Sequence, residues 1–440
     1  MRYISFFLLT TLIATLINNN CTVVDFVLNC ASIIIIIYGI KRFNIFNNFC
    51  IYFVLASIII PMFIMPSWHL VSEYNVEHPQ KMYDIIVPFG AKISFFISLL
   101  WLVFGRIQKK SSRNHTPVII KPELVPLRQF KRVSCCIIIL SLFSYSIGLG
   151  RMGAEAVVLP FHLGGIIFLI FSTFFPYYTA ALVENRLKNN KVVEREIFIY
   201  YTIWSLLMMV VRLSKGVLIT NMIPLFVVYV FYKGWNLKKY MKVAAPVIAI
   251  FLFLYPIIAT MRTIDSGGSI VDVFKESKEQ VDDSNDKENT LLVVLNRVFP
   301  NASYYAIDND YISSDLFDFS KAPLVYLYGG AAGYQTHYIE GYSEDAHHSS
   351  GTSSLVDPLL HGGYGFCYIV MFLIMLYAFM IDNRLYKMQI TTHVILFMIL
   401  FEFATGSNVS KLYDATGIQW FLANVIMILY VNKMNYQIKA

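Results

Sequence analysis

The residues best suited to chemistry in this sequence are cations set among apolar neighbours. In Val211-Arg212-Leu213-Ser214-Lys215-Gly216 two positive charges stand three positions apart, and a glycine closes the turn. Arg262 follows Ala259-Thr260-Met261, Arg297 lies within Leu295-Asn296-Arg297-Val298-Phe299, and Arg151 comes just after Gly148 and Gly150. A guanidinium group forks onto a phosphate through two parallel hydrogen bonds, and a pyrophosphate offers several such edges. Arg212, Lys215, Arg262, Arg297 and Arg151 therefore point to a bound anion. Arg212 and Lys215 also fit as a snorkelling pair on an exposed turn, and the arginines as partners of carboxylates elsewhere in the chain.

Acid–base chemistry has its own candidates. Glu344-Asp345-Ala346-His347-His348 groups carboxylates with imidazoles, and His361-Gly362-Gly363-Tyr364-Gly365 places another histidine close by. A histidine titrates near 6.5, so it can accept a proton from a hydroxyl at neutral pH. His347 and Asp345 are the leading candidates for that role. They also fit as plain polar loop residues. Adjacent histidines with acids nearby can hold a metal, but no spacing here matches a catalytic metal motif. Lys92 and Glu402 fall inside apolar segments, where a charge marks a functional position unless a neighbour pairs with it. Gly329, Gly330 and Gly333 form no phosphate loop and are read as turn formers.

The elements that must hold these residues are membrane helices. Of 440 residues, 57% are hydrophobic and only 14% charged, and the mean hydropathy is +0.58. A soluble chain carries about 25% charged residues, so an ordinary cytosolic enzyme is excluded. A helix crossing a bilayer core needs about 20 apolar residues. That ruler gives twelve segments, near 3–17, 22–40, 49–67, 84–105, 133–149, 157–182, 197–211, 217–232, 244–260, 355–380, 391–405 and 415–431. The first follows Met1-Arg2-Tyr3 without a small-residue cleavage site and is read as a retained anchor. The block 197–232 would be about 54 Å of helix, against about 60 Å for two full crossings. Its turn, with Arg212 and Lys215, is therefore held at or below the membrane surface.

Lysine and arginine in short loops set the orientation. With the N-terminus inside, the inner pieces hold 23 of the 35 basic residues and only Glu123, Glu184, Glu194, Glu196 and Asp382 among the acids. Everything else holds 12 basic and 23 acidic residues. The net charge of +7 thus reports membrane orientation, with both termini cytoplasmic, and implies no nucleic acid. The six cysteines show no metal spacing, and none lies in the large outer loop, where no disulfide is expected.

Three regions follow: helices over 1–260, a large outer loop over 261–354, and further helices over 355–440. The loop carries 15 acidic residues against Arg262, Lys275, Lys278, Lys287, Arg297 and Lys321. Its first half, 272–288, is a solvated charged run, whereas ten aromatics between Tyr304 and Tyr342 suit a folded second half. Those rings fit sugar stacking and interface packing equally well.

Taken together, these features resemble the bacterial O-antigen polymerases of the Wzy type. The resemblance rests on about twelve spans with inward termini, one large acidic outer loop late in the chain, and outer arginines. The turn from Arg212 to Gly216 is similar to the short basic-glycine segment those polymerases carry between two spans. Leu359 to Asp382, with its Gly-Gly-Tyr-Gly entry, resembles their glycine-aromatic helix after the large loop. The family implies a GT-C-like, all-helical inner-membrane protein. Its members move a growing glycan from undecaprenyl pyrophosphate onto a second lipid-linked repeat unit at the periplasmic face. Arg212, Lys215, Arg262, Arg297 and Arg151 would then bind the donor, and Asp345 or His347 would deprotonate the acceptor. The implied partners are lipid-linked donor and acceptor glycans, membrane lipids and a chain-length regulator, with no cofactor. An O-antigen ligase shares this architecture, and a lipid-linked oligosaccharide flippase shares the span number. A solute transporter would show an internal repeat, and none is visible.

Overall fold

The computed structural model describes residues 21–40, 79–111, 126–149, 159–160, 163–189, 191–212, 216–234, 250, 315–334, 338, 356–383, 389–405, 409–413 and 415–435. Within them the chain is helical, and no strand occurs among the described residues. Among the described residues, three helices are long and apolar enough to cross a membrane, over Pro88–Ile107, Leu163–Lys188 and Val356–Ile381. Val23–Ile35 and Ile390–Leu400 are shorter apolar helices. Helix is present in each of the nine apolar segments that fall on described residues. The segments 3–17, 49–67 and, but for residue 250, 244–260 lie outside them.

Local chemistry sets the helix ends. α1 (Val23–Ile40) starts with a reciprocal cap. The Thr22 N–H donates to Asp25 Oδ2 at 3.0 Å, and the Asp25 N–H donates to Thr22 Oγ1 at 3.2 Å. α2 (Pro79–Ser111) is followed by α3 (Leu127–Ser146), which Pro126 precedes in extended conformation. Just beyond the end of α3 stands Gly148, whose φ is 71°. There the Leu149 N–H reaches Ser144 O at 2.9 Å and the Gly148 N–H reaches Tyr145 O at 3.1 Å, which satisfies the last carbonyls.

α4 (Leu163–Leu169) runs through a π-turn, Ile170–Phe174, into α5 (Phe175–Lys188). Pro176 stands in the first turn of α5; with no N–H to offer the preceding turn, it favours the wider ring there. α6 (Arg195–Val211) and α7 (Gly216–Lys233) complete this part of the chain. Beyond them lie the short α8 (Ala322–Leu327), α9 (Val356–Asn383), α10 (Ile390–Thr405) and α11 (Ala415–Asn435).

The chain divides into two compact units. The first comprises 1–116, 287–387 and 396–418, and the second 117–286, 388–395 and 419–440. In the first, α2 packs against α1 and α9, and α8 packs against α9. Phe89, Ile93, Ile97 and Trp101 repeat every four residues along α2 and enter a common core with Leu360, Cys367, Met371 and Ile374 of α9. Phe104 stacks on Phe379 with ring centres 4.9 Å apart. In the second unit, α3 packs on α6, and α7 packs on α5 and α6. α5 is buried along almost its whole length, and Phe175 meets Trp204 edge-on at 4.7 Å. In a bilayer, close packing of this kind, rather than escape from water, holds helices together.

Candidate functional site

Of the residues the sequence singles out for donor and acceptor chemistry, Arg212 is described. Lys215, Arg262, Arg297, Arg151, Asp345 and His347 lie outside the described residues. Arg212 caps the C-terminus of α6, where the helix dipole favours a cation. Its guanidinium lies 4.3 Å from the ring centre of Phe168 on α4. Among the described residues, no carboxylate pairs with it. Desolvation alone pushes its pKa down to about 10, so it keeps its charge at neutral pH. A partly dehydrated guanidinium with one aromatic face for company is prepared for an anion.

Lys92 and Glu402, the charges that the sequence singles out within apolar segments, both have partners. Lys92 Nζ lies 3.5 Å from the buried carboxylate of Asp25 in α1. Glu402 pairs with Lys411. A third carboxylate, Glu184, counts in the sequence only as a charge on the inner side. It is fully buried in the second unit and accepts the Ile390 N–H at 2.8 Å and the Thr391 N–H at 2.7 Å. The Thr391 hydroxyl donates to it at 2.6 Å, Tyr232 at 3.1 Å and Lys188 at 2.9 Å. Glu184 thus caps the N-terminus of α10 from a distant helix.

The most developed polar site lies in the first unit at the start of α9. Asp357 is fully buried. Its Oδ2 accepts the backbone N–H of Val409 at 2.7 Å and of Ser410 at 3.2 Å, and its Oδ1 accepts the Ser410 hydroxyl at 2.8 Å. One helical turn on, His361 Nδ1 stands 2.7 Å from the Asp357 carbonyl and 3.2 Å from Asp357 Oδ1. Both neighbours can only accept, so Nδ1 carries the proton. Nε2 of the neutral ring is then an acceptor, and the Tyr413 hydroxyl donates to it at 2.8 Å. Ser410 Oγ also accepts the Ala331 N–H at 2.8 Å, which ties in the turn after α8. The result is an imidazole oriented on one side by a carboxylate and joined on the other to a phenol. This is the arrangement of a base positioned by a third group.

A broken helix presents this site. At Gly363 the backbone of α9 leaves the helix with φ 77°, a conformation open to glycine at little cost. The loop segment Asp315–Phe319 crosses the break. The Asp318 N–H donates to Gly362 O at 3.2 Å, and the Gly365 N–H donates to Leu316 O at 2.6 Å. A Cβ on Gly365 would stand 2.6 Å from Phe317 Cζ and 2.7 Å from Leu316 O. Irregular backbone within a membrane helix is tolerated where protein satisfies it, as the loop does here.

The sequence marks His361 as one histidine among several and leaves Asp357, Ser410 and Tyr413 unmarked. The spacing of Asp357 and His361, four residues apart on one helical face, is the signal that could have found the pair. Ser410 and Tyr413 carry none. Among the described residues, no three metal-ligating side chains gather. Comparison with known proteins adds no assignment: no family model, curated protein or solved structure matches the chain.

Proposed function

We propose that the chain is a multi-pass inner-membrane glycosyltransferase with about twelve spans and a GT-C-like fold. Its reaction joins polyprenyl-pyrophosphate-linked repeat units into a surface polysaccharide of the O-antigen kind. The acceptor hydroxyl attacks the anomeric carbon of the donor glycan, and the bond to pyrophosphate breaks with its electron pair on the leaving oxygen. Arg212, Lys215, Arg262 and Arg297, with Arg151, hold the pyrophosphate and stabilise that charge. Asp345 or His347 is the acceptor base on the sequence reading. One observation carries the proposal: Arg212 ends α6 on the side that the loop charges assign to the periplasm, and no carboxylate among the described residues answers it. A chain-length regulator is the expected protein partner.

Lipopolysaccharide gels test this reading. Cells lacking the protein should make core plus one repeat unit, with no longer polymer, and Arg262→Ala should reproduce that pattern. Loss of even the single capped unit would replace the polymerase with a ligase or flippase. Trimming 272–288 should leave polymer intact, whereas loss of 297–348 should abolish it.

A further inference from the structure

We propose that Tyr413, His361 and Asp357 form a proton relay for the acceptor sugar, and that the ring of Tyr326 is the platform on which that sugar lies. The inference rests on the polymerase reading above. It replaces Asp345 and His347 as the acceptor base with residues the structure joins.

His361 is only 5% exposed, so a substrate hydroxyl meets Tyr413 first. The tyrosine is half-buried, and its hydroxyl is already bound to His361 Nε2 at 2.8 Å. The acceptor proton passes to Tyr413 Oη while the tyrosine's own proton moves to Nε2. The freed acceptor oxygen bonds to the anomeric carbon, and the pyrophosphate leaves with the electron pair of the broken bond. Asp357 lies against Nδ1 and offsets the charge of the imidazolium that forms. Water later takes the proton and resets the ring. Asp357 can serve in this way because Val409, Ser410 and the Ser410 hydroxyl already fix both of its oxygens.

The platform follows from exposure. Tyr326 is 64% exposed on α8, and its ring centre lies 5.1 Å from that of Tyr413. A large exposed ring beside a buried base suits the apolar face of a pyranose, which would bring its hydroxyls over Tyr413. Leu327, its neighbour, is 77% exposed, so the ledge is open to a substrate as large as a glycan.

The test uses purified full-length protein and lipid-linked repeat units extracted from cells lacking it. Rates are taken per amount of monodisperse protein. Tyr413→Phe and His361→Gln should lower kcat about 10²- to 10⁴-fold, as loss of general-base catalysis does, with KM nearly unchanged. Tyr326→Ala should raise KM about tenfold with kcat held, as loss of one aromatic contact predicts, and Tyr326→Trp should restore it. Wild-type kcat in folded Tyr413→Phe overturns the relay and leaves the polymerase standing. If His361→Gln fails to fold, Tyr413→Phe, which loses one hydroxyl, decides. Absence of polymer with folded wild-type protein overturns the polymerase and the relay together.

Discussion

Replacing Arg212 by methionine should make the protein more stable and inactive at once. The side chains are similar in length, so the change removes charge more than volume. Desolvation pushes the guanidinium down from its ordinary value to about 10, and at about 1.4 kcal/mol per unit the charge costs about 3.5 kcal/mol in the folded protein. Its partial exposure reduces this to about 2 kcal/mol, and the contact with Phe168 returns about 0.5–1 kcal/mol. Removing it should therefore gain about 1 kcal/mol. Because the folded value lies below the unfolded one, the penalty is in full force at neutral pH and fades only as pH rises above about 10. Thermal unfolding in detergent, followed by size-exclusion fluorescence, reads the gain, and a glycan gel reads the lost polymer. Arg212→Lys keeps the charge without the fork and should shorten the polymer rather than abolish it. A methionine variant less stable than wild type would show that the guanidinium has a partner, and one with normal polymer would remove it from the donor site.

Two further predictions concern positions where the packing leaves no slack. Glu184→Gln should cost about 2–4 kcal/mol, because an amide cannot match a carboxylate that accepts two backbone N–H groups, two hydroxyls and a lysine; denaturation in mild detergent measures it, and an unchanged midpoint would mean that α10 caps otherwise. Gly365→Ala should displace the 315–319 segment, since its methyl would meet Phe317 and Leu316 O inside contact distance, at a cost of about 1–3 kcal/mol. Faster proteolysis of the outer loop in the variant is the expected sign, and wild-type cleavage kinetics would mean that the segment shifts freely.

Much of the architecture was legible because membrane helices obey a local rule. Twenty apolar residues announce a helix wherever they occur, and Pro176, Gly148 and Gly363 mark interruptions by their own backbone chemistry. The site was legible only where its parts share a helix. Asp357 and His361 stand one turn apart and could have been paired by counting. Ser410 and Tyr413 reach them from another part of the chain, and any hydroxyl of suitable reach would have read the same. Asp25 opposite Lys92 and Glu184 beneath α10 were hidden for the same reason: a polar partner across two helices leaves no periodicity in either.

The three carboxylates buried among the described residues nevertheless obey one rule that joins sequence to site. Asp25 lies in the first turn of α1, Glu184 accepts the first N–H groups of α10, and Asp357 accepts those of Val409 and Ser410 at the start of a short 3₁₀ turn. Helix starts are where unsatisfied N–H groups remain in an apolar setting, and a carboxylate is stabilised there by the positive end of the dipole. Arg212 follows the mirror image of this rule at the carbonyl end of α6. The difference is that each of those carboxylates has a cation or imidazole beside it, Lys92, Lys188 or His361, while Arg212 has an aromatic ring. A charge placed by the fold and left without a counterion among the described residues is one that a substrate anion can complete. Arg212 therefore carries the donor-site proposal, while the Asp357–His361 pair, with the Tyr413 hydroxyl already bound to it, carries the proposal for the acceptor side.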